Sequence, residues 1–385
     1  MLGPEHPEVA RTLDALASLE RRQGRYGKAE LRSRRALAIR EKALGPEHVD
    51  VATSLVALAA LYRLQSRYVE TEQLAQRALA IREKRLGAEH PEVIAPLLVL
   101  GEMRAEQGRL ADAEPLARRA LAVAEKSLGP QHPDTAAALE LLAGLARTRA
   151  RYAEAESLAR RALAIREKAL GAEHPDVAAV LAGLAELDVQ RDRPAPAEPL
   201  ARRALAIQEK ALGAEHPDLA RSLRALGEVQ RRQARFPEAE PSYQRALAID
   251  EKRLGPDSPR VALDLSGLGT LYRLQGRFAQ AEPLYRRAQA ISEKTLGPEH
   301  PQVAASILDL AMLYRLQNRF AQAEPLYQWA LTLQRKVLGP DHLEIAESLE
   351  DYAALLKQTN REPEAAELEA QARAIRSKAP AAGAR

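Results

Sequence analysis

Apolar residues along this chain fall into two helical stripes in every 42 residues, and the pair of stripes recurs nine times. In the stretch 296–337, Val303, Ile307, Leu310, Ala311 and Tyr314 lie three or four apart, the spacing of one buried helix face. Pro301 opens that stretch and suits a first helical position, where a missing N–H costs nothing. Gln317-Asn318-Arg319 breaks the pattern. Phe320, Ala323, Leu326, Tyr327, Ala330, Leu331 and Leu333 mark a second helix, which Gly339 and Pro340 end. The pattern predicts two antiparallel helices joined by a short turn.

The leucines Leu2, Leu44, Leu86, Leu128, Leu170, Leu212, Leu254, Leu296 and Leu338 are spaced 42 apart without a slip, each opening a variant of LGPEHP. Such a period means one supersecondary unit copied nine times, an all-α solenoid that grows along one axis. Residues 1–379 are expected to form a single solenoid, with 380–385 as a disordered tail. One second-helix position is alanine in every repeat: Ala36, Ala78, Ala120, Ala162, Ala204, Ala246, Ala288, Ala330 and Ala372. A close helix crossing explains it, and a larger side chain there should cost about 1–3 kcal/mol. Pro115, Pro199, Pro241, Pro283 and Pro325 fall near second-helix starts, where proline is least harmful.

The end repeats are more polar. Glu20 and Ser33 stand where repeat eight has Tyr314 and Tyr327, and the last helix carries Glu364, Glu367, Glu369, Arg373, Arg376 and Lys378, as a soluble solenoid end requires. Starting at a repeat boundary fits a whole protein or a piece of a longer one. In repeat five, Asp188 replaces the aromatic and Pro194 and Pro196 crowd the turn, so a kink or softness is expected at 188–197.

Composition narrows the function. Hydrophobic residues make up 46% of the 385 but aromatics only 4%, so leucine and alanine must build the core. There is no cysteine, no signal-like start and no apolar run near 18 residues, which leaves a cytoplasmic location as the default. The net charge of +4 arises from 57 basic and 53 acidic residues finely interleaved, a weak signal for nucleic acid. Arginine-rich, lysine-poor and asparagine-poor usage looks like a GC-rich, bacterial genome.

The residues Leu310-Ala311, Tyr314, Phe320, Ala323, Tyr327 and Ala330 resemble the tetratricopeptide-repeat signature. The 42-residue spacing, RALAIREK (Arg35–Lys42) and LGPEHP resemble the variant found in kinesin light chains and many bacterial repeat proteins. The resemblance covers about residues 2–379. It implies a right-handed superhelical α-solenoid of nine helix-turn-helix repeats whose concave groove binds peptides or protein partners. Kinesin light chains imply a basic groove in which asparagines grip the peptide backbone. The matching pairs here, among them Arg224-Ala225, Ser266-Gly267 and Leu308-Asp309, contain no asparagine, so that grip and a kinesin role are not expected.

No catalytic constellation emerges. His6, His48, His90, His132, His174, His216, His300 and His342 share one junction position, with Ser258 in the remaining slot. Equivalent points on stacked helices lie on the order of 10 Å apart, too far to share a metal with bonds of about 2 Å. A helix-start role is expected instead, with no metal and no cofactor. The Glu-Lys pairs from Glu41-Lys42 to Glu293-Lys294 read as a solvated face. Ser266-Gly267-Leu268-Gly269 follows no strand and lacks the lysine of a phosphate loop. Arg25, Arg67, Arg109, Arg151, Arg193, Arg235, Arg277, Arg319 and Arg361 precede every second helix and read as structural cations at the first-helix C-terminus.

A series that varies is more informative. On the face expected to line the groove the repeats carry Arg21, Arg63, Ala105, Arg147, Val189, Arg231, Arg273, Arg315 and Lys357. Packing cannot require a cation that Ala105 and Val189 replace. The ladder is unbroken from Arg231 to Lys357, with Leu263, Leu274, Leu308, Met312 and Leu316 close by and Arg221 and Arg224 in repeat six. Apolar ground flanked by guanidinium groups suits a peptide mixing an aliphatic or aromatic anchor with acidic groups. The expected function is a non-catalytic scaffold binding such a partner. The alternatives are a sensor or autoinhibitory segment of a larger bacterial signalling protein and, less favoured, nucleic-acid binding. No membrane or small-molecule substrate is expected.

Overall fold

The computed structural model of the protein describes residue 3 and residues 5–378. The tail expected at 380–385 and the repeat-opening Leu2 lie outside the described residues. The described residues form nine sequential helix pairs. Repeats one to three comprise α1 (Pro7–Arg22) and α2 (Tyr26–Leu44), α3 (Val49–Leu64) and α4 (Tyr68–Leu86), and α5 (Ile94–Glu106) and α6 (Leu110–Ser127). Repeats four to six comprise α7 (Pro133–Thr148) and α8 (Tyr152–Leu170), α9 (Pro175–Gln190) and α10 (Pro194–Leu212), and α11 (Asp218–Arg232) and α12 (Phe236–Leu254). Repeats seven to nine comprise α13 (Pro259–Leu274) and α14 (Phe278–Leu296), α15 (Pro301–Leu316) and α16 (Phe320–Leu338), and α17 (Leu343–Gln358) and α18 (Glu362–Lys378). A 3₁₀ turn, Pro91–Val93, leads into α5. Among the described residues no helix is long and apolar enough to cross a membrane.

Local chemistry sets these boundaries. At the repeat junction Gly45, Gly87, Gly255 and Gly339 have φ between 83° and 96° and ψ between 155° and 158°, a region that only glycine enters readily. The turn inside each repeat asks less. Ser66, Ala150, Asp192, Ala234, Asn318 and Asn360 adopt φ of 55–59° there, the left-handed helical well that short side chains tolerate. Hence the leucine-glycine phrase recurs while the inner turn drifts. The alanine series is at most 1% exposed in all nine repeats, which places it at the close helix crossings. In repeat five neither helix breaks, and Asp188 is buried against the Arg193 guanidinium. An ion pair takes over the aromatic's place, and hydrogen exchange across 188–197 tests whether softness remains.

The chain divides into two compact units. The first holds Met1–Leu145, Glu154–Leu184 and Arg202–Leu219, and the second holds Ala146–Ala153, Ala185–Ala201 and Ala220–Arg385. In the second, Tyr243, Tyr285, Leu310, Leu313, Tyr327, Leu355 and their neighbours make a continuous core. In the first, smaller clusters such as Val51, Ala52, Leu55, Ala78 and Ile81 recur between successive helices.

Candidate functional site

The first helices of repeats six to nine, within the second compact unit from Ala220 onward, keep one stripe at least partly exposed while the opposite side is buried. On α13 it runs through Leu263, Ser266, Thr270, Arg273 and Leu274, and on α15 through Leu308, Asp309, Met312, Arg315 and Leu316. On α11 it holds Arg221, Arg224, Glu228 and Arg231, and on α17 Glu347, Asp351 and Lys357. The site residues read from the sequence thus lie, helix by helix, on the stripe that is not fully buried. Leu263, Leu274 and Leu316 are 44%, 44% and 39% exposed, whereas Leu308 and Met312 lean onto the core.

The cations are less free than a bare ladder suggests. Arg231 is clamped by Glu228, and Lys357 Nζ lies 2.5 Å from Glu369. Arg221 pairs with Glu186 through two nitrogens at 2.8 and 2.9 Å. Burial works against the Glu186 carboxylate, but Arg221 and Arg147 outweigh it and hold it down at about 2. Arg224 is drawn inward. Its Nη1 reaches Asp264 at 2.8 Å and Asp250 at 3.3 Å, and both carboxylates are fully buried. Arg224 is thus a structural counter-ion rather than a groove cation. Arg315 spans Tyr327 Oη at 3.4 Å and Asp351 at 3.5 Å. Arg273 donates through Nε to Tyr285 Oη at 3.4 Å, and its Nη nitrogens make no hydrogen bond among the described residues.

Under the ladder lies a layer that the hydrophobic pattern does not reveal. Tyr243, Tyr285 and Tyr327 on the second helices are at most 2% exposed, and each lies twelve residues after the cation of its own repeat. Tyr285 Oη also donates to Thr270 Oγ1 at 3.0 Å and Tyr243 Oη to Glu228 at 2.9 Å. Glycine makes the room. A Cβ on Gly267 would stand 2.6 Å from Tyr243 Cε1, and one on Gly227 would press the ring's other edge at 3.1 Å. Gly269 does the same for Tyr285 at 2.7 Å. The Ser266–Gly269 run is thus a seat for two tyrosines. Position twelve after the cation was the available signal, since Lys357–Glu369 obeys it too.

Burial also shifts the acids of this region. Asp264 rises to about 7, because it is desolvated and shares Arg224 with Asp250. Asp309 rises to about 7 through desolvation, opposed by Arg273 and by a hydrogen bond from Ser266. The polar layer is charge-reversed elsewhere. In repeat one the carboxylate is on the first helix and the guanidinium on the second, Asp14 with Arg40, and in repeat four Glu140 with Arg166 at 2.8 Å.

The invariant series are architectural. Nδ1 of His6, His48, His90, His132, His174, His216, His300 and His342 accepts the backbone N–H two residues on, capping the following helix. That acceptor role puts the ring proton on Nε2. His216 Nε2 accordingly donates to Arg22 O at 2.5 Å and His342 Nε2 to Thr148 O at 3.0 Å. Among the described residues no three histidine or carboxylate side chains converge as a metal site would need. The arginines before the second helices are clamps between repeats more than dipole partners. Arg319 stacks on Tyr314 at 4.1 Å and reaches Glu282 of the preceding repeat at 2.9 Å, as Arg277 does with Tyr272 and Glu240. The Glu-Lys pairs are bridged as well as solvated. Lys84 meets Glu47 of its own junction at 2.7 Å, and Glu83 meets Arg119 of the next repeat at 2.5 Å.

Among solved structures, kinesin light chain nearly identical repeats from Podosopora anserina are 28% identical, covering 55% of this chain and 100% of their own, with a TM-score of 0.43. BtubC (BKLC) from P. vanneervenii is 21% identical over 62% of this chain and 94% of its own, with a TM-score of 0.46. A Rap protein complexed with competence and sporulation factor covers 96% of this chain and 98% of its own at 14% identity, with a TM-score of 0.70, a likeness of fold alone. No curated relative matches the chain. One tetratricopeptide-repeat model matches residues 9–50 and another matches 32–84, 50–126, 92–168, 141–210, 197–252, 231–292 and 260–336. With matches running from residue 9 to residue 336 on successive helix pairs, the chain belongs to the tetratricopeptide-repeat family.

Proposed function

We propose that this protein is a non-catalytic scaffold that holds an acidic or amphipathic peptide segment of a partner protein on the first-helix face of repeats six to nine, centred on repeats seven and eight. The observation that carries the reading is the pairing of a cation with an exposed leucine, Arg273-Leu274 and Arg315-Leu316, one repeat apart on the same face. Leu263, Leu308 and Met312 extend the apolar ground for an aliphatic or aromatic anchor. Arg273 has guanidinium nitrogens to spare for a carboxylate. Arg221, Arg224, Arg231 and Lys357 are committed to carboxylates and shape the surface rather than grip the ligand. The likeness in fold to a Rap protein complexed with competence and sporulation factor supports a partner-binding use of this architecture. The pervasive pairing of arginine with carboxylate argues against a nucleic-acid backbone as ligand.

The test is peptide display against the whole chain. Enriched sequences should combine Asp or Glu with Leu, Phe or Trp. Arg273→Glu with Arg315→Glu should weaken the best peptide by at least about tenfold, about 1.4 kcal/mol, with the melting temperature retained. Unchanged affinity in that variant rejects the site.

A further inference from the structure

The second helices carry their own ladder, and it is interrupted in the last two repeats, by Trp329 and by Gln371. At one second-helix position an arginine ties repeats two, three, four, five and seven each to the one before. Arg77 places Nη1 2.7 Å from Glu41 and donates through Nη2 to Pro46 O at 3.0 Å. Arg119 repeats this with Glu83 and Ala88 O, Arg203 with Glu167 and Ala172 O, and Arg287 with Glu251 and Pro256 O. In repeat eight the position holds Trp329, the chain's only tryptophan, 42% exposed. The acceptors that the ladder would use there, Glu293 and the Pro298 carbonyl, are still present. Glu293 receives a hydrogen bond from Gln289 of its own helix at 2.7 Å, and no guanidinium reaches it among the described residues. The neighbouring cations are committed elsewhere. Lys294 pairs with Asp257 at 2.6 Å, Lys336 with Glu299 at 2.5 Å, and Arg335 donates to Gln371 Oε1 at 3.0 Å.

One repeat earlier the equivalent carboxylate and carbonyl, Glu251 and Pro256 O, take one guanidinium, and here that guanidinium's position holds an exposed indole, the best face for a cation. We propose that Trp329, Glu293 and the Pro298 carbonyl form a docking site for an arginine side chain of a partner protein. The arginine stacks on the indole and donates to the two acceptors, supplying from outside what Arg287 supplies within the chain one repeat earlier. The planar two-pronged head matters, since a lysine reaches one acceptor at a time. The site is on the second helices and does not depend on the peptide face described above.

Trp329 is its own reporter. Its fluorescence is followed in the whole chain during titration with acetyl-Gly-Arg-Gly-amide and with the lysine and citrulline counterparts. A saturable change is expected with the arginine peptide, several-fold weaker with lysine and absent with the neutral citrulline. Glu293→Gln should weaken arginine binding about tenfold. In Trp329→Arg the new guanidinium occupies both acceptors, and calorimetry should detect no peptide binding. No saturable change with the arginine peptide, equal responses to arginine and citrulline, or unaltered binding in Glu293→Gln would each overturn the proposal.

Discussion

Repeats two to five and repeats six to eight share one backbone plan but differ consistently at one buried position. The former carry Ala75, Ala117, Ala159 and Ala201, and the latter carry Tyr243, Tyr285 and Tyr327. Over alanine, the first-helix cation turns to the next repeat. Arg63 takes Glu102 at 3.0 Å as well as Glu106, and Arg147 takes Glu186 at 3.4 Å. Over tyrosine, Arg273 and Arg315 donate to the phenol of their own repeat, Arg315 also reaching Asp351 of the next at 3.5 Å, and Arg231 pairs with Glu228 of its own helix. A neutral hydroxyl holds a guanidinium about half as strongly as a carboxylate does. The exchange of alanine for tyrosine therefore fills the core and leaves cationic capacity on the surface, where three leucines are also exposed.

The largest break in this comparison is Tyr285→Ala, which makes repeat seven resemble repeat three. It should cost about 3–5 kcal/mol in a urea unfolding curve, because Gly269 leaves nothing to fill the cavity. A loss below about 1 kcal/mol would show that the ring is not part of the core.

Next comes the polar layer between repeats six and seven. The ordinary value for Asp264 is 3.8 and burial lifts it to about 7, so the folded state binds the proton more tightly. Its contribution to stability is complete below pH 3.8 and is lost as pH rises through 7, by as much as about 4 kcal/mol. Asp264→Asn should remove that part of the pH slope between pH 4 and pH 8, read as the difference between thermal melts of the two proteins. An identical slope would mean that Asp264 stays ionised.

Gly267→Ala sharpens the packing half of the comparison. The Tyr243 ring is pinned between Gly227 and Gly267, so the added methyl should destabilise by about 1–3 kcal/mol. The cost should vanish when Tyr243 is first made alanine, and a cost that persists would place the strain elsewhere.

The smallest effect separates the two uses of junction histidine. His174→Ala removes a helix cap, and His216→Ala removes a cap and the bond to Arg22 O. Each cap is worth about 0.5–2 kcal/mol, and His216→Ala should exceed His174→Ala by about 1 kcal/mol. Equal losses would deny the second bond any weight.

Much of this was legible in the chain. The 42-residue period located all nine helix pairs, the alanine crossings and the junction histidines, because each depends on residues a few positions away or on an identical neighbour in the next repeat. Variation against that constant background also singled out the cation series, and on each helix its members share the partly exposed stripe with the leucines. It did not reveal the tyrosine layer, because a tyrosine at a buried helical position reads like any core residue. Nor did it reveal that Arg224 turns inward, because Asp250 and Asp264 are 26 and 40 residues further along and no local rule pairs them.

The sequence alone determined the repeat, its helices and its turns, since backbone sterics and periodic burial act over short stretches. The tertiary structure decided which charges are spent and which are left over. Arg63 finds its partners 39 and 43 residues away and His216 finds its carbonyl 194 residues away, whereas among the described residues the Arg273 Nη nitrogens and Glu293 lack the ion-pair partners that their counterparts in other repeats have. Coulomb attraction and hydrogen bonding depend on distance in space, and only the stacking of one repeat on another sets that distance.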